Sequence, residues 1–287
     1  MRRSAILVSL ALPIALALPA AAPARTVDVH PGGLQRAIAR ADAGDTLRVH
    51  HGHYRGSLVI AKRLELIGAP GERRPLIDGR CRTRVTIQAA ANGVRLRRLH
   101  VVGADESAGQ LPSEVDFSGL GTGAVTDSLL RDTCDAEYGV NVFDSGRIRV
   151  LRNTARGFSD AGIYVGRITS TLGGVLLVRG NESFHNNRGF ILEDSAGGDV
   201  RVVANRFHDN TSSGEGPPSG IFVRNSDRAL FRENAVFGNS RFGINLDANS
   251  DRNRFFGNRI HGNPVAVNDL GSGNCGSGNR PGAFPAC

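Results

Sequence analysis

From Tyr138 onward, apolar and polar positions alternate in short bursts that each restart on a glycine. The bursts are Gly139-Val-Asn-Val, Gly162-Ile-Tyr-Val, Gly189-Phe-Ile-Leu, Gly220-Ile-Phe-Val and Gly243-Ile-Asn-Leu, at intervals of 23, 27, 31 and 23 residues. Val265-Ala-Val is a degenerate sixth copy. A two-residue period marks a strand with one buried face, so Val140/Val142, Ile163/Val165, Phe190/Leu192, Ile221/Val223 and Ile244/Leu246 are predicted to point inward. A second series runs between the bursts and ends on Asn153, Asn181, Asn205, Asn234 and Asn258. Five residues after the last four of these stand Asn186, Asn210, Asn239 and Asn263. No segment of this half is long or periodic enough for a crossover helix. The copies are therefore predicted to stack as parallel coils ~4.8 Å apart. Asparagine suits the turns of such coils in two ways: it tolerates left-handed backbone, and its side chain can bond from coil to coil.

The first half is less regular. Leu34, Ala37, Ile38 and Ala41 recur at helical spacing within Leu34–Asp45, which predicts a short amphipathic helix plugging an open first coil. Strand-like alternation follows at Val85–Ile87, Val94–Leu96 and Leu99–Val101, and Ala104–Glu114 reads as a loop.

Coils of about 23 residues, an asparagine ladder and G-I-x-V strands resemble the right-handed parallel β-helix repeat family. That superfamily includes pectate lyases, polygalacturonases, alginate epimerases and a periplasmic accessory family of nitrous oxide reductase. The resemblance covers nearly all of the chain after its first 24 residues. It implies an all-β, single-stranded right-handed parallel β-helix of about 9–10 coils with an N-terminal capping helix. Activity does not follow from it, because function on this fold lives in grafted sites.

Composition adds causes to this pattern. Glycine numbers 37 of 287 residues, without a three-residue period, and is read as turn chemistry. Of 19 asparagines, 18 lie between Asn141 and Asn279, in the regular half. The termini and cysteines speak to location. Arg2 and Arg3 precede an apolar run from Ala5 to Leu18, and Ala22-Pro23-Ala24 is an A-x-A cleavage site. Residues 1–24 are thus expected to be a signal peptide and 25–287 one β-helix domain, secreted or periplasmic, without a transmembrane segment after cleavage and monomeric. Export permits disulfides. Four cysteines allow three connectivities, and Cys275–Cys287 with Cys81–Cys134 is the one that would staple the Gly/Pro-rich tail.

The net charge of +8 falls to +6 without Arg2 and Arg3, and it is almost all arginine, Lys62 being the only lysine. The arginines are scattered along the chain among Asp and Glu, without the clustering and stacking aromatics of a nucleic-acid binder. Codon usage explains the choice of arginine over lysine, and attraction to an acidic polysaccharide is the alternative.

Candidate chemistry lies on the outward positions of the glycine-led strand. A mixed stripe forms there: Tyr138, Asn141, Asp144, Tyr164, Arg167, Arg188, Glu193, Asp194, Phe222, Arg224, Arg241 and Asp247. Aromatic rings suit sugar stacking and arginine suits bidentate pairing with uronate carboxylates. For β-elimination, Tyr164 or Tyr138 would be the base and Arg167, Arg188 or Arg224 the neutralising cation, so Tyr164, Arg188, Glu193 and Arg224 are the candidate catalytic group. Asp144, Glu193 and Asp194 offer oxygen ligands that would suit Ca²⁺. No other cofactor is implied. For hydrolysis, Glu193 and Asp247 share a column two coils apart, hence ~9.6 Å. Tyr138-Gly-Val-Asn-Val-Phe-Asp144 resembles the Tyr-Gly-x-Asp-Pro-His-Asp motif of alginate epimerases, but Asn141 and Phe143 replace the motif's first Asp and its His.

A copper role by analogy with the accessory family lacks thioether ligands, since the only Met is Met1. His50, His51 and His53 form a small cluster, with His50 expected to face away from the other two, and His208 and His261 are placed two coils apart. The primary expectation is binding of an acidic polysaccharide without catalysis. A polysaccharide lyase is the alternative and a copper-site accessory role the third reading.

Overall fold

The computed structural model describes residues 23–287 except 109–110, 170, 172, 212–215 and 283. The expected signal peptide lies outside these residues up to position 22. Among the described residues the strands form three sheets of eleven, nine and nine strands. All strand pairings within them are parallel, and each strand pairs with those of the coils before and after it. One coil shows the order: Arg147–Leu151 in the first sheet, Thr154–Arg156 in the second and Ala161–Gly166 in the third. The fold is the parallel β-helix that the repeat predicted.

The inward residues named from the alternation, Val140 through Leu246, are all fully buried. With interior rings such as Phe207, Phe231 and Phe255 they form one continuous core along the axis. The helix Leu34–Arg40 buries Leu34 and Ile38 in that core at the first coils. At the other end Phe284 stacks on Phe255, with ring centroids 4.1 Å apart. The tail carrying it is tied by Cys275–Cys287, and Cys81–Cys134 is the second bridge.

Three expectations need correction. The ladder asparagines do not occupy the left-handed region; the residues immediately before them do, among them Arg152 (φ 53°), His185 (φ 55°), Ala204 (φ 53°) and Glu233 (φ 58°). The Asn side chains are needed for their amide geometry, which bonds the turn above and the turn below. Second, the glycine that opens each burst is not a turn residue with positive φ. A Cβ on Gly189 would lie 2.6 Å from the carbonyl oxygen of Gly220, and one on Gly243 2.5 Å from that of Ala266. Close approach of adjacent coils at this corner, rather than backbone freedom, excludes a side chain. Third, the segment read as a loop to Glu114 ends earlier: Ser113–Ser118 is a strand of the third sheet, preceded by a short 3-10 turn at Glu106–Ala108.

Candidate functional site

The outward residues of the third sheet carry a second, smaller apolar cluster. Tyr138, Ala161, Tyr164 and Ile191 are buried together there, with Leu111, Phe143 and Phe222 packed at the margin. The strands Tyr138–Phe143, Ala161–Gly166, Arg188–Glu193 and Ser219–Arg224 bring these positions into register, so the side chains line up coil upon coil. The two tyrosine rings lie 4.6 Å apart, and each is only 5–6% exposed.

Each phenol is committed to a carboxylate. Tyr164 donates to Glu193 Oε2 at 3.0 Å, and Tyr138 donates to Asp160 Oδ2 at 3.4 Å. Each carboxylate is also held by an arginine: Arg224 pairs with Glu193 at 2.9 Å, and Arg188 with Asp160. Arg188 further lies over the Phe222 ring at 4.8 Å. Tyr164, Arg188, Glu193 and Arg224 therefore sit in one contiguous patch around the tyrosine pair.

Burial pushes both phenols well above their usual range, and the facing carboxylates, Asp160 and Glu193 respectively, push them further. A phenol so placed stays protonated and donates; it is poorly suited to the base role expected of Tyr138 or Tyr164. Burial likewise raises Asp160, while Arg188 pulls it back. Asp160 was missed in the sequence because it precedes the alternating strand and shares no repeat position with the other carboxylates. Asp116 was missed because it lies just past the segment read as a loop, on a strand that the alternation did not single out. It accepts a hydrogen bond of 2.8 Å from Asn141 Nδ2, which seals the position where the epimerase-like motif departs from its pattern.

The remaining stripe residues divide between rim and turns. Arg167 lies over Phe143 at 5.2 Å and Arg241 over Phe242 at 4.9 Å. The aromatic faces expected to stack on sugars are thus largely occupied by tyrosine or arginine. Asp144 and Asp194 sit at left-handed turn positions. Asp194 accepts from Asn225 Nδ2 at 2.7 Å, and Asp247 accepts from Ser250 Oγ at 2.6 Å. Asp247 closes its own turn, and Asp194 ties its turn to that of the next coil. Glu193 and Asp247 occupy one column, but Asp247 is engaged by its turn, as is Asp194 of the trio named for calcium. Gly216 lies against Arg188, and Gly174 against Arg147 of the first sheet.

The stacked parallel coils define a right-handed parallel β-helix protein. Pectate lyase Pel9A superposes with a TM-score of 0.65 at 13% identity, over 92% of this chain and 81% of that one. The A-module of the Azotobacter vinelandii mannuronan C-5 epimerase AlgE4 gives 0.55 at 15%, over 85% and 81%. ORF18 of Geobacillus virus E2 gives 0.57 at 14%, over 85% and 57%. These likenesses concern the fold. No curated protein matches the chain. The family described as "Periplasmic copper-binding protein (NosD)" matches residues 125–276, and the chain belongs to that family. The periplasmic family and the two disulfides mark it as extracytoplasmic. No described helix is long and apolar enough to cross a membrane.

The family name raises copper, for which the chain would need a matching donor set. All four cysteines are oxidised, and the single methionine is Met1. His50 has both ring nitrogens engaged, by Asp28 and Glu72, and His208 by Asp209 and Glu182. His53 bonds Asp78, away from His50. Among the described residues no three His, Cys, Asp or Glu side chains form a metal-ligating group. Soft copper ligation needs thiolates or thioethers, and this chain's residues do not fit it.

Proposed function

We propose that the protein binds an acidic polysaccharide along the outer face of the third sheet without cleaving it. The observation that carries this reading is the division of labour in the patch. The tyrosine hydroxyls are sealed onto Asp160 and Glu193, while the Arg224 side chain stays 59% exposed on the other side of Glu193. Arg224, with the exposed Arg167 and Arg241 along the same face, offers guanidinium groups to successive uronate carboxylates. A carboxylate of the polymer exchanges with Glu193 at Arg224, and the buried tyrosine pair holds the strand face rigid beneath. The chain acts as a monomer, exported by cleavage before Arg25.

One observation favours a second reading, uronate β-elimination. The series Tyr164–Glu193–Arg224 joins a proton donor, a carboxylate and a cation, a set from which such chemistry can be built. Incubation with alginate, pectate and hyaluronan separates the two. Binding predicts retention on at least one acidic polymer, no rise in ultraviolet absorbance from unsaturated uronides, and retention weakened by Arg224→Gln but not by Tyr164→Phe. An absorbance rise abolished by Tyr164→Phe would establish the lyase reading. Absence of retention on every polymer would overturn both.

A further inference from the structure

The outer face of the first sheet carries a pattern that the linear sequence conceals. Its cross-coil register aligns Arg149 with Leu177, Leu177 with Arg201, Arg201 with Leu230 and Leu230 with Arg254. Two residues further along the same strands, Leu151, Arg179, Val203, Arg232 and Phe256 form a second column. The two columns are out of phase. Over five successive coils the outward pair reads Arg–Leu, Leu–Arg, Arg–Val, Leu–Arg, Arg–Phe. Each coil thus presents one arginine, and successive arginines zigzag along the axis at roughly 8 Å, from ~4.8 Å per coil and two residues of strand rise.

Part of this arrangement is what the sheet requires, since like charges directly opposite each other are destabilising. That argument sets the offset, not the sign. A solvated face could use acids equally well, as the second sheet does with Glu182 beside Arg206 and His208. Along this face Asp199 and Glu233 pair with Arg201 and Arg232, and Asp127 pairs with Arg152 and Arg97 at its N-terminal margin. Arg149, Arg179 and Arg254 are exposed and make no ion pair among the described residues. Arg95, Arg97 and Arg147 extend the basic surface toward the N-terminus. Between the arginines the aliphatic and aromatic side chains are half-buried, flush with the sheet.

We infer that this face is a second docking surface, for a linear acidic polysaccharide lying parallel to the helix axis. Regularly spaced guanidinium groups meet regularly spaced carboxylate or sulfate groups, and the flush apolar positions meet the C–H faces of the sugar rings. The straight row fits an extended polymer, and no side chain in it protrudes to insert into a lipid layer. The inference is independent of the third-sheet reading, because it uses a different face and different residues.

The test compares two triple variants of the full chain at matched thermal stability. Arg149→Gln/Arg179→Gln/Arg254→Gln removes the unpaired arginines of the first sheet. Arg131→Gln/Arg156→Gln/Arg259→Gln removes the same charge from the second. Binding to alginate and to heparin at low salt is expected to weaken at least roughly tenfold in the first variant, three exposed charge contacts being lost, and to change little in the second. Arg224→Gln should leave the loss caused by the first variant intact, which separates this surface from the third-sheet site. Binding should fall as NaCl rises, and neutral dextran should not bind. Equal losses in both triple variants, or none in the first, would overturn the inference. So would binding to phosphatidylglycerol vesicles that the first variant abolishes while polymer binding persists.

Discussion

Glu114 shows how much one position can depart from its repeat. It occupies, in the strand Ser113–Ser118, the place that glycine holds in later coils, between Thr86 of the coil before and Gly139 of the coil after. Later coils exclude a side chain there, but here the interior corner accommodates a carboxyl that is completely buried. Burial pushes it up to about 8, against hydrogen bonds from Thr86 and the Ala104 amide that favour its charge. The folded chain therefore keeps a proton that the unfolded chain loses near pH 4.5. Where the native state holds the extra proton, stability falls as pH rises. The expected fall is about 1 kcal/mol for each pH unit between ~4.5 and ~8. Glu114→Gln should remove that slope and leave the variant more stable than the parent at pH 8. Urea denaturation at pH 5, 6.5 and 8 measures it, and parallel profiles for the two proteins would refute the assignment. Neither the burial nor the protonation was legible in the sequence, where Glu114 stood at the end of a presumed loop.

At the scale of the element, the turn between the first and second sheets is what repeats most faithfully. Asn153, Asn181, Asn205, Asn234, Asn258 and Asn279 form an unbroken ladder, each side-chain amide donating to the next side-chain oxygen at 2.9–3.0 Å. Each ladder oxygen also accepts a backbone N–H from the preceding coil. A shorter ladder of Asn186, Asn210, Asn239 and Asn263 does the same at the next turn. All of these groups but Asn263 are buried, so water cannot replace them, and an unmet partner costs ~1–3 kcal/mol. Asn205→Ala would strand the Asn181 backbone N–H, its side-chain amide and the Val178 carbonyl. A loss of roughly 3 kcal/mol is expected, against less than ~0.5 kcal/mol for the exposed Asn249→Ala. Guanidinium unfolding decides it; a cost under 1 kcal/mol for Asn205→Ala would show that the ladder adds little. The ladder was readable beforehand because a fixed offset recurring in register admits few causes. The side-chain partners in the third-sheet patch were not, since Asp160 precedes its strand and follows no period, and Tyr164 meets Glu193 only across adjacent coils.

At the scale of the whole molecule, a solenoid has nearest-neighbour contacts only, so its ends decide how it frays. The N-terminal helix and the C-terminal tail with Phe284 close the two ends of the core. The bridges differ in reach: Cys81–Cys134 spans 53 residues and Cys275–Cys287 spans 12. On loop-closure grounds they constrain the unfolded chain by about 4 and about 3 kcal/mol. Cys275→Ser/Cys287→Ser should nonetheless have the more local effect, freeing the tail. Hydrogen exchange followed by mass spectrometry is expected to show lost protection from about residue 254 onward, with the coils before Asn205 unchanged. Uniform loss along the chain would argue against independent fraying of the ends. Charge behaves in the opposite manner and is global. The arginines look evenly dispersed along the chain, and only the coil register gathers five of them into one zigzag on the first sheet.

The sequence by itself determined the parallel stacking, the inward residues and the ladder, because each rests on local periodicity. Only the tertiary structure decided which outward residues meet. It sealed the tyrosines against carboxylates rather than opening them to sugars, took Asp194 and Asp247 into turns, buried Glu114, and assembled the basic face. Those contacts lie between coils whose lengths range from 23 to 31 residues, and cross-coil neighbours are set by register, which unequal spacing along the chain does not display.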